Sequence, residues 1–368
     1  MKQQVALKVL GEILGWTEEQ CLKEFAWLEL MSRFKYDEYR DYVAGARFIE
    51  CLVDWLQQFK ANEREAAYKF VRSSLLFFTA NEIQHLVDLV YIEAIRPTLL
   101  KAVASQLGVP FYLVWSHPNA QAIYDRYLRL SLFLGLSDGA RIDAFRRANT
   151  GIISNEQVVL ATEIGEQKWD SLLKDLRKDS GDPSAKFTFV FLLDDFVGSG
   201  KTLIRSGATE NSWDGRLPKF WTTIKDRLPT HFAPNYSVHV HHYIATDEAS
   251  HSVPARFRAA QQSFADSAWL PDVEFTFGII LPPTVRMTDE SHPDFIKLIH
   301  AYYDAAIENR HTAVGGEKDV RLGFGQCSLP LILEHNTPNN SVALLWAETT
   351  GTQGCAMRPL FRRRQRHT

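Results

Sequence analysis

The stretch VFLLDDFVGSGKTL, residues 190–203, decides the fold prediction. Its first part belongs to the apolar run FTFVFLL at 187–193, which is typical of a central strand covered on both faces. Two aspartates, Asp194 and Asp195, follow the strand, and a loop of small residues at 198–202 comes next. Because open α/β sheets bind ligands beyond the carboxyl ends of their strands, the stretch predicts a ligand site.

The end of the stretch, Gly200-Lys201-Thr202, looks like the end of an ATP-binding P-loop. The P-loop pattern is G-x-x-x-x-G-K-[ST], which requires its first glycine at position 195. That position is Asp195, whose carboxylate would face the phosphates. The sequence therefore disfavours ATP binding and hydrolysis.

The small residues suit a different kind of phosphate cradle. Gly198, Ser199 and Gly200 allow backbone N–H groups to converge on an anion, and a helix predicted to follow would add its positive N-terminal end. Hydroxyl groups come from Ser199 and Thr202, and Lys201 adds a charge. An acidic pair before such a cradle suits a sugar phosphate. The carboxylates would bind the ribose hydroxyls, directly or through Mg²⁺, and the loop would bind the 5-phosphate.

This arrangement resembles the signature of the type I phosphoribosyltransferases, which bind phosphoribosyl pyrophosphate (PRPP). That signature is an apolar strand, Asp-Asp, two further residues and Thr-Thr-Gly-x-Thr. Residues 194–195 match the acidic pair, 196–197 the spacers and 198–202 the phosphate loop. Gly200 and Thr202 are retained, whereas Gly-Ser replaces Thr-Thr and removes one hydroxyl. The resemblance implies PRPP and Mg²⁺ as ligands, with catalytic roles for the two aspartates.

Over most of its length the chain is similar to the phosphoribosyltransferase-like proteins of prokaryotic conflict systems. The similarity lies in FKYDEYRDYVAGARFIECLVDWLQQF (34–59), LILEHNTPNNSVALLW (331–346) and MRPLFRRRQRH (357–367). It implies a helical N-terminal region fused to a phosphoribosyltransferase-like domain. It also implies a context of antiphage defence, with partner proteins encoded in the same operon.

The pattern of apolar residues changes near residue 105. Before it, apolar residues such as Phe48, Leu52 and Trp55 recur at helical spacing. After it, β-rich runs alternate with helical patterns and polar loops, which predicts an α/β domain with a largely parallel sheet of the phosphoribosyltransferase type. We therefore predict a helical region at 1–105 and the α/β domain at 106–368. The β-rich runs are FYLVW (111–115), LSLFLGL (130–136), FTFVFLL (187–193), YSVHVHHYIA (236–245), VEFTFGIIL (273–281), LPLIL (329–333) and SVALLW (341–346).

Two further polar segments are candidates for the site. Ser137, Asp138, Gly139 and Arg141 follow a predicted strand, where the resembled family has a pyrophosphate-binding loop; an ordinary helix cap is the alternative. The second segment, EHNTPNN, would read a nucleobase or contact an acceptor, or would be a simple turn. Its candidate residues are Glu334, His335, Asn336, Asn339 and Asn340.

Three histidines and two acidic residues lie in or after another predicted strand. His239 and His241 share one face of this strand, and His242 lies on the other. No third ligand follows at a suitable spacing for a metal, so packing in or near the core is the favoured role. Asp247 and Glu248 at the end of the strand are worth inspecting, because ligands bind at this edge.

Composition limits the classes of function. The hydrophobic fraction of 45% and formal net charge of −3 are ordinary for a soluble protein, and no apolar run is long enough to span a membrane. Four dispersed cysteines predict neither a disulfide framework nor a zinc motif, so we expect a cytoplasmic protein. The arginine-rich C-terminus predicts either a solvated tail or a contact with RNA. Its arginines are Arg358, Arg362, Arg363, Arg364 and Arg366.

Two classes of function stay open. The first is an enzyme that transfers or hydrolyses a ribosyl phosphate, with a nucleotide, an RNA, a protein or water as the acceptor. The second is an inactive module that senses a nucleotide and regulates a partner protein or RNA.

Overall fold

Two compact units make up the chain. Unit 1 consists of Met1–Glu82 with Pro282–Thr368, and unit 2 is Ile83–Leu281. The sequence instead predicted one division, between residues 105 and 106. The computed structural model describes residues 3–160, 164–209, 211–263, 271–313 and 318–363.

The strands belong to three sheets. Within the described residues, five strands form a wholly parallel sheet in unit 2, in the order β3-β2-β4-β7-β8. This confirms the predicted α/β class. The strands are β1 (Leu76–Phe78), β2 (Ser131–Gly135), β3 (Val158–Leu160), β4 (Phe187–Val197), β5 (Arg205–Ser206), β6 (Trp213–Asp214), β7 (Phe232–Thr246), β8 (Val273–Leu281) and β9 (Leu331–Leu333).

Helices surround the large sheet and dominate the N-terminal part of unit 1. Further turns are 3₁₀-helical, including Phe111–Ser116. The α-helices are α1 (Gln3–Leu14), α2 (Glu18–Phe34), α3 (Phe48–Gln57), α4 (Arg64–Ser73), α5 (Ala80–Val90), α6 (Arg96–Leu107), α7 (Ala120–Arg129), α8 (Ile142–Ala148), α9 (Glu166–Ser180), α10 (Arg216–Ile224), α11 (Leu228–His231), α12 (Asp247–Ser263), α13 (Pro293–Ala301), α14 (Arg310–Ala313) and α15 (Ala343–Trp346).

The strand order places a switch point between β2 and β4. From β2 the chain moves outward to β3 and then returns to the opposite side of β2 to form β4. Connections that leave a parallel sheet in opposite directions open a crevice at the carboxyl ends of the strands. The stretch that decided the fold prediction ends at this crevice.

Both faces of the central strand β4 are mostly buried, whereas the edge strand β8 is partly exposed. Leucine and valine side chains of one face, such as Val190 and Val240, pack in a cluster with α9, α10 and α12. On the other face Phe133 stacks on Phe191 at a centroid distance of 5.3 Å and contacts Phe145 of α8. This burial explains why the run FTFVFLL of β4 is apolar almost throughout.

Unit 1 joins the beginning and the end of the chain in one core. Strands β1 and β9 pair in parallel, and the predicted apolar face of α3 is buried. Phe361 is fully buried and stacks on Phe48 at 5.8 Å. This pairing of distant segments is the reason why the units divide where they do.

Two predicted β-rich runs have other structures, and a third forms a strand outside the large sheet. FYLVW forms the 3₁₀ turn Phe111–Ser116, and SVALLW contains α15. The run LPLIL includes β9, which pairs with β1 rather than with the large sheet. Short apolar runs carry too little periodicity to separate strand from helix. Among the described residues, no helix has the length and apolarity that crossing a bilayer requires.

Candidate functional site

The two aspartates lie near the carboxyl end of β4, on opposite faces of the sheet. Asp194 pairs in register with His242 of β7. Successive side chains of a strand point to opposite faces. Asp194 therefore shares the face of α10, and Asp195 lies on the face of α8.

Asp194 is fully buried, and both of its carboxylate oxygens have partners within unit 2. Ser137 Oγ donates to Oδ1, and Arg216 Nη1 pairs with Oδ2. Burial raises the pKa of Asp194 to about 7; the charge of Arg216 opposes this rise and that of Asp195 adds to it. Asp194 thus links β4 to the loop after β2 and to the start of α10.

Asp195 is partly buried and lies against the backbone of Gly139. A Cβ atom at position 139 would overlap the Asp195 carboxylate, so glycine permits this approach. The backbone N–H of Phe196 donates to Asp195 Oδ1 at 2.8 Å. The structure therefore brings the acidic pair together with the loop at 137–141. The pyrophosphate-binding role of that loop stays a prediction.

Buried hydrogen bonds fix this loop on the sheet. The Leu136 N–H donates to Leu193 O at 2.8 Å and extends the ladder between β2 and β4. Tyr243 of β7 is fully buried and donates its hydroxyl to Ala140 O at 2.5 Å. Burial raises the pKa of Tyr243, which keeps it a hydrogen-bond donor. The sequence analysis missed Tyr243, because one tyrosine in an apolar strand has no distinguishing pattern.

The exposed side of the same loop carries charge. Asp138 is exposed, and Arg141 is partly exposed. The backbone of Arg141 adopts φ +50°, a conformation that non-glycine residues rarely take. Such backbone conformations persist where the surrounding contacts enforce them.

Tyr243→Phe is expected to destabilise the protein by about 1–2 kcal/mol, because Ala140 O would lose its buried donor. The loop at 137–141 would also become less ordered. Urea unfolding measures the first effect, and hydrogen exchange at residues 137–141 measures the second. Tyr127→Phe is the matched control, since the described residues offer no hydrogen-bond partner to its hydroxyl. Equal stability of the two variants would contradict the role of Tyr243.

The loop at 198–202 is held in place by hydrogen bonds from β7 and α12. Thr246 Oγ1 donates to Gly198 O at 2.6 Å, and Arg256 Nη1 donates to Ser199 O at 2.6 Å. Gly200 has φ +71°, and a Cβ atom there would overlap Val253. Because two consecutive carbonyl groups are held by these donors, the N–H groups of the same peptides point the other way. Binding of an anion by these N–H groups stays a prediction.

The helix predicted to follow the loop is absent from the described residues there. Turns at 201–204 lead to the hairpin β5–β6, and α10 begins only at Arg216. The prediction of a helix N-terminus directly behind the loop was therefore wrong. Instead, the backbone N–H groups of Arg216 and Leu217 donate to Thr202 O and Leu203 O, each at 3.0 Å. The Ile204 N–H donates to Gly200 O at 3.1 Å, so a single helical turn follows Gly200 before the chain enters β5.

Lys201 and Thr202, the last two residues of the cradle, differ in exposure. Lys201 is partly buried, and its N–H lies 3.4 Å from Ser199 Oγ. Its carbonyl oxygen accepts from Arg205 Nη1 at 3.1 Å. Thr202 is exposed. The binding of a phosphate by the Thr202 hydroxyl stays a prediction.

The candidate acceptor segment lies in unit 1, whereas the acidic pair lies in unit 2. Glu334 is fully buried and pairs with Arg40 Nε at 2.7 Å. His335 Nδ1 lies 3.3 Å from Glu334 Oε1. These contacts give Glu334 and His335 a structural part in unit 1. Their assignment to an acceptor stays a prediction.

The asparagines of this segment also make contacts within unit 1. Asn340 Nδ2 donates to Phe324 O at 2.8 Å. The backbone oxygen of Asn339 accepts from the N–H of Phe324 at 2.7 Å, and the Asn336 N–H donates to Leu333 O at 3.0 Å. The segment is therefore a hydrogen-bonded turn, and a role in reading a nucleobase stays a prediction.

His241 and His242 are buried, whereas His239 is partly buried. His241 Nδ1 lies 2.9 Å from Thr276 Oγ1, and His239 Nδ1 lies 3.2 Å from Glu274 Oε2. No group of three or more His, Cys, Asp or Glu side chains that could hold a metal occurs in the described part of the chain. Asp247 and Glu248 lie in the first turn of α12, next to the cradle support Thr246.

His242→Met is expected to flatten the dependence of stability on pH. Burial lowers the pKa of His241 to about 4 and that of His242 to about 3. Since an unfolded histidine has a pKa of about 6.5, the unfolded state binds more protons as the pH falls through this value. The stability that His242 contributes above pH 6.5 is therefore lost progressively between about pH 6.5 and 3.

The slope lost with one histidine is up to about 1.4 kcal/mol per pH unit. Urea unfolding of wild type and His242→Met between pH 7.5 and 4.5 measures it. The difference between the two proteins isolates this residue from other titrating groups. If the free energies of unfolding of the two proteins changed equally with pH, His242 would have the same pKa in the folded and unfolded states, which would contradict this prediction.

The C-terminal arginines are partly integrated into unit 1. Residues 357–363 pack into the core through Leu360 and Phe361, both fully buried. Arg362 pairs with Glu348 at 2.9 Å. Arg364 and Arg366 lie outside the described residues.

The PRTase-CE family model matches residues 52–363, which is most of the chain. Searches of curated proteins and of solved structures each found no significant match. The matched range contains the acidic pair, the loop at 137–141, the phosphate cradle and the acceptor segment. The chain therefore belongs to the PRTase-CE family.

Proposed function

We propose that this phosphoribosyltransferase-like protein binds PRPP, or a related ribosyl phosphate, with Mg²⁺. One observation carries the proposal. Within unit 2, the acidic pair, the loop at 137–141 and the cradle at 198–202 meet at the switch point of the sheet. A ribosyl diphosphate has a sugar between two anionic ends, and this edge offers carboxylates between two small-residue loops.

Each part of the ligand has a proposed partner. The cradle at 198–202 binds the 5-phosphate through backbone N–H groups, with Lys201 adding charge. Asp195 binds the ribose hydroxyls. The loop at 137–141 binds the pyrophosphate. Asp194 positions that loop through Ser137.

The donor set fits Mg²⁺. This ion prefers carboxylate and phosphate oxygens, and it keeps several waters when bound with a phosphorylated substrate. Asp195 would hold it, indirectly through the ligand, whereas Asp194 has its oxygens on Ser137 and Arg216. When bound, Mg²⁺ would neutralise part of the diphosphate charge.

We propose that the protein is an enzyme in which pyrophosphate leaves C1 of the ribose. As the C1–O bond breaks, positive charge develops on the sugar and negative charge on the diphosphate. The residues of the site bind the 5-phosphate and the diphosphate of the ligand and stabilise these charges. No covalent bond forms between the sugar and this protein, and C1 is transferred to the acceptor. The acceptor is a nucleotide, an RNA, a protein or water. The setting proposed from the resemblance is antiphage defence in the cytoplasm, with operon-encoded partners and an RNA contact through the C-terminal arginines.

Titration calorimetry with PRPP and Mg²⁺ tests the proposal, with ribose 5-phosphate, AMP and ATP as comparison ligands. We expect magnesium-dependent binding of PRPP that Asp194→Asn/Asp195→Asn loses. Tight ATP binding that does not depend on the aspartates would overturn the proposal. So would binding of none of the ligands.

A second candidate function is a nucleotide-sensing module without turnover. It is favoured by the engagement of both Asp194 oxygens inside the protein. Release of pyrophosphate from PRPP, measured over hours at micromolar protein, separates the two functions. Binding without release would favour the sensing module.

A further inference from the structure

We propose that Arg216 contacts the diphosphate of the ligand, so that the site selects ribosyl diphosphates over ribosyl monophosphates. This inference rests on the proposed function. The sequence analysis did not identify Arg216 as a site residue.

The guanidinium of Arg216 has more N–H donors than its contact with Asp194 uses. Its side chain is 36% exposed, and Nη1 pairs with Asp194 Oδ2. A guanidinium carries five N–H donors in a planar fork. Among the residues that the structure describes, Asp194 is the only side-chain partner of this one. The other donors are therefore available to a ligand oxygen.

The buried carboxylate fixes where these donors lie. The other oxygen of Asp194 accepts from Ser137, the first residue of the loop at 137–141. Because both oxygens belong to one carboxylate, the guanidinium and the start of this loop are adjacent. Arg216 thus stands beside the loop to which the proposed function assigns the pyrophosphate.

The backbone of Arg216 is anchored at the other loop of the site. Its N–H donates to Thr202 O at 3.0 Å. Gly215 before it has φ +125°, and a Cβ atom there would overlap Leu203 O. The main chain of Arg216 is therefore held at the end of the cradle while its side chain reaches Asp194. One residue spans from the cradle to the proposed pyrophosphate loop.

A diphosphate needs a positively charged partner beside Asp194, because the surrounding side chains are acidic. Asp194, Asp195 and the exposed Asp138 would repel a diphosphate. Arginine binds phosphate oxygens through parallel N–H donors, which lysine does not provide. The loop at 137–141 itself carries Arg141, which is partly exposed. Arg216, beside Asp194, would add a second guanidinium for the diphosphate.

The test compares PRPP, ribose 5-phosphate and inorganic pyrophosphate by calorimetry, each with Mg²⁺. The variants are Arg216→Gln and Arg216→Lys. Arg227→Gln, beyond the opposite end of α10, is the charge-matched control. We expect Arg216→Gln to weaken PRPP and pyrophosphate at least tenfold and to change ribose 5-phosphate less than twofold. Arg216→Lys keeps the charge beside Asp194, and we expect an intermediate loss for the two diphosphates.

The other outcomes are equally informative. Equal losses for all three ligands would show that Arg216 acts only through Asp194, which overturns the inference. Unchanged binding in both Arg216 variants would overturn it too. If wild type binds pyrophosphate through Arg216 but not ribose 5-phosphate or PRPP, the diphosphate contact stands and the proposed function fails. If wild type binds none of the three, both fail.

Discussion

Asp195→Asn is expected to weaken binding of PRPP with Mg²⁺ by about 100-fold, because two charge-assisted hydrogen bonds to ribose would become neutral ones. The free energy of unfolding should change little, since this carboxylate is only partly buried. Calorimetry gives the first quantity and urea unfolding the second. Unchanged affinity for PRPP would show that Asp195 does not contact the ligand.

Asp194→Asn provides the contrasting control on the neighbouring residue. An asparagine could accept from Arg216 and donate to Ser137, so both contacts of the buried group would be kept. Because the pKa of Asp194 is raised to about 7, the native state holds its proton after the unfolded state has lost it. Wild type therefore loses stability as the pH rises from about 4 to 7, and the variant does not.

We expect Asp194→Asn to be at least as stable as wild type at pH 8, while its affinity for pyrophosphate falls. A residue whose replacement stabilises the fold but impairs binding serves function rather than folding. Because burial disfavours the charged form of Asp194, a neutral asparagine avoids this cost at pH 8. A large loss of stability at pH 8 would instead make Asp194 a structural residue.

The sequence could predict those parts of the site that are local. The apolar run of β4, the acidic pair and the small residues at 198–202 lie within one stretch, and the strand–loop order identifies the segment at 137–141. Parallel strands bring their carboxyl ends to one edge, so the meeting of these segments followed from the α/β class.

The parts that were missed depend on tertiary contacts. Arg216 reaches Asp194 from a position 22 residues further along the chain, after the hairpin β5–β6. Tyr243 is one aromatic residue in an apolar strand. The pairing of β1 with β9 joins segments about 250 residues apart, and periodicity in a single sequence contains no signal for it.

Gly200→Ala is expected to lower the affinity for both PRPP and ribose 5-phosphate at least tenfold and to destabilise the protein by about 2–4 kcal/mol. Its φ of +71° costs an alanine about 1 kcal/mol. The new Cβ atom would also overlap Val253, and overpacking adds about 1–3 kcal/mol. The cradle must then move off α12, which misplaces the N–H groups that bind the 5-phosphate.

Two control variants separate the causes. Gly181→Ala has nearly the same backbone strain, with φ +65°, but has open space around its Cβ position, so it should lose only about 1 kcal/mol and no affinity. Val253→Ala combined with Gly200→Ala removes the overlap and should restore part of the lost affinity, although Val253→Ala alone leaves a cavity. If the double variant binds ribose 5-phosphate no better than Gly200→Ala alone, the overlap with α12 is not what shapes the cradle. Partial recovery would show that α12 sets the position of the phosphate loop.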